Sequence, residues 1–364
     1  MHAWHGKLVK PLPVLVAPVG PSDADHEPSK AQRLSSLAAA KLARVGQPFV
    51  WRGSGLACRS WDLDYLHEQA DPTAPFSVRT SPASFIFTDD RRNTGRFDVA
   101  SHVAVEDMSF SQFFVRFVES SWEAGFTPFV ASELAAGGGG GGGGGPPASF
   151  DDDAPAVPLH SLLHYRTLPH GAARAAATAP PAAAAAAAPP DFGPGHTSFN
   201  PAPAPDFGAS GSPRRMYLQQ TLVTGIGERL TEDFRNFDWS TLTLLERAGG
   251  WGPLTSNLLL LGHRGSVTPL HYDEQQNLLV CLRGRKVVLL ASPDQFACFY
   301  PFPIGHPADR QAAVDLRAPD FERFPRLADA VFHYAVLEAG DTLYLPSYWW
   351  HEVHHPANDA LAVK

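Results

Sequence analysis

The sequence predicts a mainly β fold, a closed sandwich or jelly roll flanked by N-terminal α/β elements, and three observations carry that prediction. Short apolar runs crowd the second half of the chain: SNLLLLG, NLLVCLRG, KVVLLAS, FHYAVLE, DTLYLP and HEVHH, each bounded by Gly, Pro or Asp. That spacing is the mark of strands in a barrel or sandwich. Hydrophobic residues make up 44% of the 364 positions, ample for a core. Helical periodicity is confined to short stretches that lie mostly before the β-rich part.

In chain order, residues 1–30 form a tail. Its apolar stretch LVKPLPVLVAPVG is broken by prolines and lacks the uninterrupted core of a signal peptide, and no run approaches the length of a membrane span. Residues 31–131 form the flanking part. The basic, alanine-rich segment from Ser29 to Gly46 reads as a helix packed beside the strand QPFVWRG, in preference to a transit peptide, because acids precede it and a folded segment follows. Ser109 and Gln112 form a capping box for a helix that aligns Phe110, Phe113, Phe114, Phe117 and Val118 on one stripe. Composition breaks near Ala131 and recovers near Arg214. Nine consecutive glycines (Gly137 to Gly145), alanine runs and prolines between them cannot bury enough apolar area to offset ordering, so residues 132–213 are expected to be a disordered insertion. From residue 214 to 364 come YLQQTL, two helical patterns around Thr231 to Arg247, and then the strands of the jelly roll.

A formal charge of −8 and a pI near 6.0 exclude a general attraction to nucleic acid or anionic membrane. Cys58, Cys281 and Cys298 have no paired spacing, which argues against a disulfide framework or thiolate zinc site and for a reducing compartment, cytoplasm or nucleus.

The chemistry concentrates in two segments. In TPLHYDEQQN an extended strand would turn His271 and Asp273 to one face with Tyr272 opposed. In GDTLYLPSYWWHEV a Gly-Asp turn, an apolar strand and a Pro-aromatic bend deliver His351 to the start of another strand. Two imidazoles and a carboxylate on one face of a metal leave other positions open, the ligand set of non-haem Fe(II) oxygenases. A single His-x-Asp would be weak evidence among 16 histidines; the second segment supplies the context. Lys286 opens KVVLLAS on the face of Val288 and Leu290, so alternation aims its ammonium along an apolar interior, where it needs a partner.

These residues resemble those of cupin-like JmjC oxygenases, and more narrowly of the factor-inhibiting-HIF group of asparaginyl hydroxylases. The likeness runs from about Gln47 to near His355 apart from the insertion. Its strongest stretches are YLQQTL, GWGPLTSNLLLLG, TPLHYDEQQN, PDQFACFYPFPIGHPADRQ, DFERFP and GDTLYLPSYWWHEV. The resemblance implies a double-stranded β-helix, Fe(II) held by His271, Asp273 and His351, and 2-oxoglutarate and O2 as cosubstrates. It implies that Lys286, Thr268 and Tyr217, with Asn277 nearby, receive 2-oxoglutarate. Gln219, Arg310 and Gln311 would orient the target, while Trp349 and Trp350 would wall the site. It further implies hydroxylation of the β-carbon of asparagine in ankyrin-repeat or transcription-factor proteins, with no membrane and no direct nucleic-acid partner. The alternatives are another JmjC hydroxylase or demethylase, acting on histone, ribosomal protein or tRNA, and an impaired binding protein of the same fold.

Two departures bear on these expectations. The family continues past its second histidine into a strand carrying an asparagine and then into dimer helices, whereas DALAVK closes this sequence with Lys364 at or near the asparagine position. A shortened strand, an unpaired edge and an unsettled oligomeric state are therefore expected. Phe87 stands where the family has tyrosine.

Overall fold

The computed structural model describes residues 8–16, 30–54, 56, 61–81, 103–123, 157–158, 215–222, 225–355 and 360–363. Phe87, Cys58 and, apart from Val157 and Pro158, the 132–213 insertion lie outside the described residues.

The apolar runs become strands because alternate side chains find two different apolar surroundings. In chain order these are β1 (Leu8–Pro11), β2 (Val14–Val16), β3 (Phe49–Arg52), β4 (Phe76–Ser81), β5 (Ala104–Met108), β6 (Val157–Pro158), β7 (Arg215–Thr221), β8 (Leu258–Gly262), β9 (Val267–Tyr272), β10 (Asn277–Arg283), β11 (Arg285–Ala291), β12 (His333–Glu338), β13 (Thr342–Leu345), β14 (Trp350–His354) and β15 (Ala360–Val363). They form two sheets, ordered β6-β1-β12-β11-β14-β9 and β2-β3-β13-β10-β15-β8-β7-β4-β5. Apart from the parallel pairs β1/β12 and β2/β3, the described pairings are antiparallel. This is a jelly-roll β fold with helices on its flanks.

The interior between the sheets is filled by Leu260, Leu279, Cys281, Leu343 and Leu345 from one side and Val288, Leu290, Ala335 and Leu337 from the other. Residues one step along the same strands point the opposite way. Leu218, Leu259, Leu261, Val280 and Leu282 meet the helices outside the larger sheet, and Leu270, Val287, Leu289 and Trp350 meet the 299–332 segment outside the smaller one.

Among the described residues five helices dress these faces: α1 (Lys30–Arg44), α2 (Leu63–Gln69), α3 (Phe110–Glu123), α4 (Glu228–Arg235) and α5 (Trp239–Gly249). Helix α1 buries Ala39, Ala40 and Ala43 against Phe49 and Trp51 of β3, as its alanine-rich face predicts. Helix α3 starts where the capping box places it. Ser109 N–H donates to Gln112 Oε1 at 2.9 Å and Gln112 N–H donates to Ser109 Oγ at 3.2 Å. Its Phe110, Phe113 and Phe117 are buried beneath the large sheet. No described helix is long and apolar enough to cross a membrane.

Strand β4 pairs with β7, so residues on either side of the insertion share one sheet. Within the segment expected to be a disordered insertion, Val157 and Pro158 pair with Leu8 and Val9 of β1. The unpaired edge expected near the end of the sequence does not form. Strand β15 pairs with β8 on one side and β10 on the other, because four residues are enough to fill the slot between them.

Candidate metal centre

The three sequence-predicted ligands meet at one end of the barrel. His271 sits near the end of β9, Asp273 follows directly after it, and His351 lies opposite His271 in the β9/β14 ladder. One ligating atom from each of His271, Asp273 and His351 lies within 4.8 Å of the other two. The His271 and His351 ring centroids are 4.1 Å apart, and His351 Nε2 is 3.6 Å from Asp273 Oδ2.

The imidazoles are oriented by their own backbone. His271 Nδ1 lies 2.8 Å from the Pro269 carbonyl and His351 Nδ1 lies 3.0 Å from the Trp349 carbonyl. A carbonyl only accepts, so each Nδ1 carries the proton and each Nε2 keeps its lone pair. That is the tautomer a divalent cation requires. Asp273 is steered too: Asn277 Nδ2 donates to its Oδ2 at 2.8 Å, and Tyr348 N–H donates to its backbone carbonyl at 2.7 Å. The donor set therefore fits a first-row divalent metal with open positions.

Deeper in the barrel stand Tyr217, Thr268 and Lys286, all buried. Lys286 is only 1% exposed, so its ammonium stays inside the barrel with Val288 and Leu290 rather than reaching water along its stem. Its Nζ lies 3.1 Å from Nε2 of His355. Burial pushes the Tyr217 hydroxyl up to about 12 despite the neighbouring Arg79 charge and the Thr268 hydrogen bond, so it remains protonated. Asn277, expected near the cosubstrate, donates to the carboxylate of Asp273 at 2.8 Å.

Strict alternation from His271 would turn Thr268 to the outside. The structure has a register shift between His351 and Val353 on β14, which pair with His271 and Thr268 on β9. The extra β9 residue forms a bulge at Pro269 and Leu270 that returns Thr268 to the interior. Trp350 corrects another expectation. It does not wall the site, because it faces away from His351 into the outer aromatic cluster with Tyr272, Phe296 and Phe299.

The three residues expected to meet a substrate occupy different settings. Gln219 lies two positions after Tyr217 on β7, opposite Leu260, and is half-buried. Gln311 forms a β-bridge to His271 and is 7% exposed. Arg310 adopts φ 68° and accepts the Tyr272 N–H at 3.0 Å through its carbonyl, so its backbone shapes the approach to His271. A cavity of about 610 Å³ reaches Asp273, the one ligand of the three that lines it, and runs past Asn277, Gln275, Leu254 and Trp251 toward Phe234 and Trp239.

Sequence reasoning missed His355 and Gly262. His355 is fully buried, and a Cβ at Gly262 would come within 2.5 Å of His355 Nδ1 and 2.8 Å of Tyr217 Cδ2. The signal was present in HEVHH: positions 351, 353 and 355 share one face.

Comparison with known proteins agrees with this architecture. Residues 205–364 match the family model described as "Cupin-like domain". Jumonji C domain-containing protein 5 of Drosophila melanogaster is 38% identical over 97 residues, covering 27% of this chain and 24% of that protein. Lysine-specific demethylase 8 of Danio rerio is 33% identical over 137 residues, covering 38% of this chain and 32% of that protein. tRNA wybutosine-synthesizing protein 5 of Gallus gallus is 37% identical over 83 residues, covering 23% of this chain and 24% of that protein. The matches thus span only a quarter to a third of these relatives. In fold, the second half of this chain is a cupin-like jelly roll whose relatives include JmjC proteins.

Proposed function

We propose that this protein is an Fe(II)- and 2-oxoglutarate-dependent oxygenase that hydroxylates a protein side chain, with the β-carbon of asparagine as its target. One observation carries the reading: three ligating atoms lie within 4.8 Å of one another, and both imidazoles are pinned through Nδ1 so that Nε2 is presented. His271, Asp273 and His351 would hold the iron. When bound there, iron with 2-oxoglutarate and O2 supplies the oxidising power for C–H hydroxylation.

The chain's own residues supply position and exclusion. Lys286, buried in the barrel, would offer a cation to the far carboxylate of a diacid, and the Tyr217 and Thr268 hydroxyls, hydrogen-bonded to each other, would add donors. The Asn277 amide fixes which Asp273 oxygen stays engaged. Leu260, Leu290 and Leu337 keep the chamber apolar, which limits water around the reacting groups. The cavity that reaches Asp273 would receive the peptide. Gln219 and Gln311 match the positions that present an amide in the resembling hydroxylases, and an amide both donates to and accepts from an asparagine carboxamide. Ankyrin-repeat and transcription-factor proteins are the substrates proposed on the same resemblance.

Anaerobic addition of Fe(II) and then 2-oxoglutarate tests the reading. A visible charge-transfer band should appear, vanish in Asp273→Ala, and require at least about tenfold more 2-oxoglutarate in Lys286→Ala, the loss expected when one partner of a charge-assisted contact is removed. Mass spectrometry of ankyrin-repeat peptides should then show asparagine gaining one oxygen. Loss of a methyl group from lysine would move the assignment to the reaction named for the demethylase relatives. Absence of the band with retained peptide binding would make the chain a binding protein.

A further inference from the structure

The interior end of the barrel holds two basic side chains in contact. Lys286 lies on β11 and His355 directly follows β14, one residue beyond the Val287–His354 pair of the β11/β14 ladder. Lys286 Nζ is 3.1 Å from His355 Nε2, and the two residues are 1% and 0% exposed. The backbone grips His355 on both sides: its N–H donates to Ser266 at 3.1 Å and its carbonyl accepts from Gly265 at 2.7 Å. Its ring lies over Gly262, where no side chain larger than hydrogen fits, and 5.6 Å from the Tyr217 ring. His355 is thus held against the ammonium by a site shaped around it.

An ammonium has only donors, so contact at Nε2 requires that His355 offer a lone pair there and carry its proton on Nδ1. Nδ1 lies against Gly262 without a well-formed hydrogen bond. Burial, the Lys286 charge, and the neighbouring His354 and His263 all oppose a second proton, while the Gly262 backbone favours it. Tyr217 faces the ring from β7 and stays protonated. A carboxylate arriving at Lys286 reverses this balance. It cancels the ammonium field and offers an acceptor that a neutral Nε2 cannot donate to.

We infer that His355 is a second anchor for the distal carboxylate of the bound diacid, taking a proton from solvent onto Nε2 as the diacid enters, so that Lys286 and His355 both donate to it. The inference rests on the reading of this chamber as a 2-oxoglutarate site. No bond other than N–H changes, and the proton comes from the buffer. The consequence is linkage: a site that takes up a proton on binding holds its ligand more tightly as pH falls.

Calorimetric titration of 2-oxoglutarate into the Fe(II)-loaded 364-residue chain under anaerobic conditions tests this. Titrations run between pH 6.5 and 8.5, in paired buffers of different ionisation enthalpy. Proton uptake should appear in the buffer dependence, and affinity should weaken toward the limit for one linked proton, about tenfold per pH unit, over the alkaline part of the range. His355→Ser should bind 2-oxoglutarate with the uptake abolished and the pH dependence flattened. Because metal is loaded beforehand, the ligand histidines contribute no proton. Binding by the wild type with no proton uptake and no pH dependence overturns the role of His355 while leaving the cosubstrate reading intact, and it needs no variant to fold. The same uptake in His355→Ser overturns it as well. No binding of 2-oxoglutarate at any pH, with the metal loaded, overturns both.

Discussion

At the scale of single residues, the histidines of this barrel divide by what their nitrogens face. His271 and His351 give Nδ1–H to backbone carbonyls two residues earlier and keep Nε2 for a cation. His263, by contrast, is used up structurally: Nδ1 accepts from Met216 N–H at 2.9 Å, and Nε2 lies 3.0 Å from the Phe117 carbonyl to which it donates. Burial holds it neutral, lowering it from 6.5 to about 4. The unfolded chain therefore binds the extra proton first, and the stability owed to neutral His263 is complete above about 6.5 and declines as pH falls toward 4. The shift corresponds to roughly 3 kcal/mol. Denaturant titrations at pH 7 and pH 4.5 should show a smaller acid loss in His263→Gln than in the wild type. Asn277→Leu removes the amide that steers Asp273 and should weaken metal binding by about tenfold to a hundredfold in a metal titration, the range for losing a group that orients a ligand. At this scale the triad was readable from HYD and WWHEV because chemistry and strand spacing coincide there. For His355 only the face was readable, since nothing in the sequence shows that a lysine 69 positions away will lie against it.

At the scale of elements, local signals and tertiary demands can be separated. The start of α3 is local: Ser109 and Gln112 exchange hydrogen bonds as their three-residue spacing dictates. Ser109→Ala should cost about 1 kcal/mol, measurable as a shift in denaturation midpoint with an unchanged slope. The alternation of β10 and β11 is also legible, because Leu279 and Cys281 face inward while Val280 and Leu282 face outward. Strand β9 defeats the same rule. Pro269 has no N–H for the ladder, the strand bulges around it, and Thr268 joins His271 on the inside. Trp350 obeys the rule. Adjacent residues fall on opposite faces of a strand, so alternation from His351 already turns Trp350 away from the site.

At the scale of the whole molecule, closure of the barrel is the main source of order. Leu337 is fully buried between the sheets, and Leu337→Ala should cost about 2–5 kcal/mol, read from thermal or denaturant unfolding. Strand β15 completes the larger sheet, pairing with Leu259–Gly262 on one side and with β10 on the other. Deleting residues 360–364 should leave two unpaired edges facing one gap, lower the melting temperature and promote concentration-dependent association, checked by scanning calorimetry and light scattering. The sequence alone determined what depends on near neighbours along the chain: a β-rich core, the capped phenylalanine helix, and the residue types that make a His-Asp-His centre. Tertiary structure alone decided what depends on chain segments far apart. It brought His351 across to His271, pairing strands that eighty residues separate. It carried Thr268 inward through a bulge, and it set His355 against Lys286 over a glycine whose lack of a side chain makes the room. Alternation tells which way a side chain points, while distance between strands is fixed only when the sheet closes.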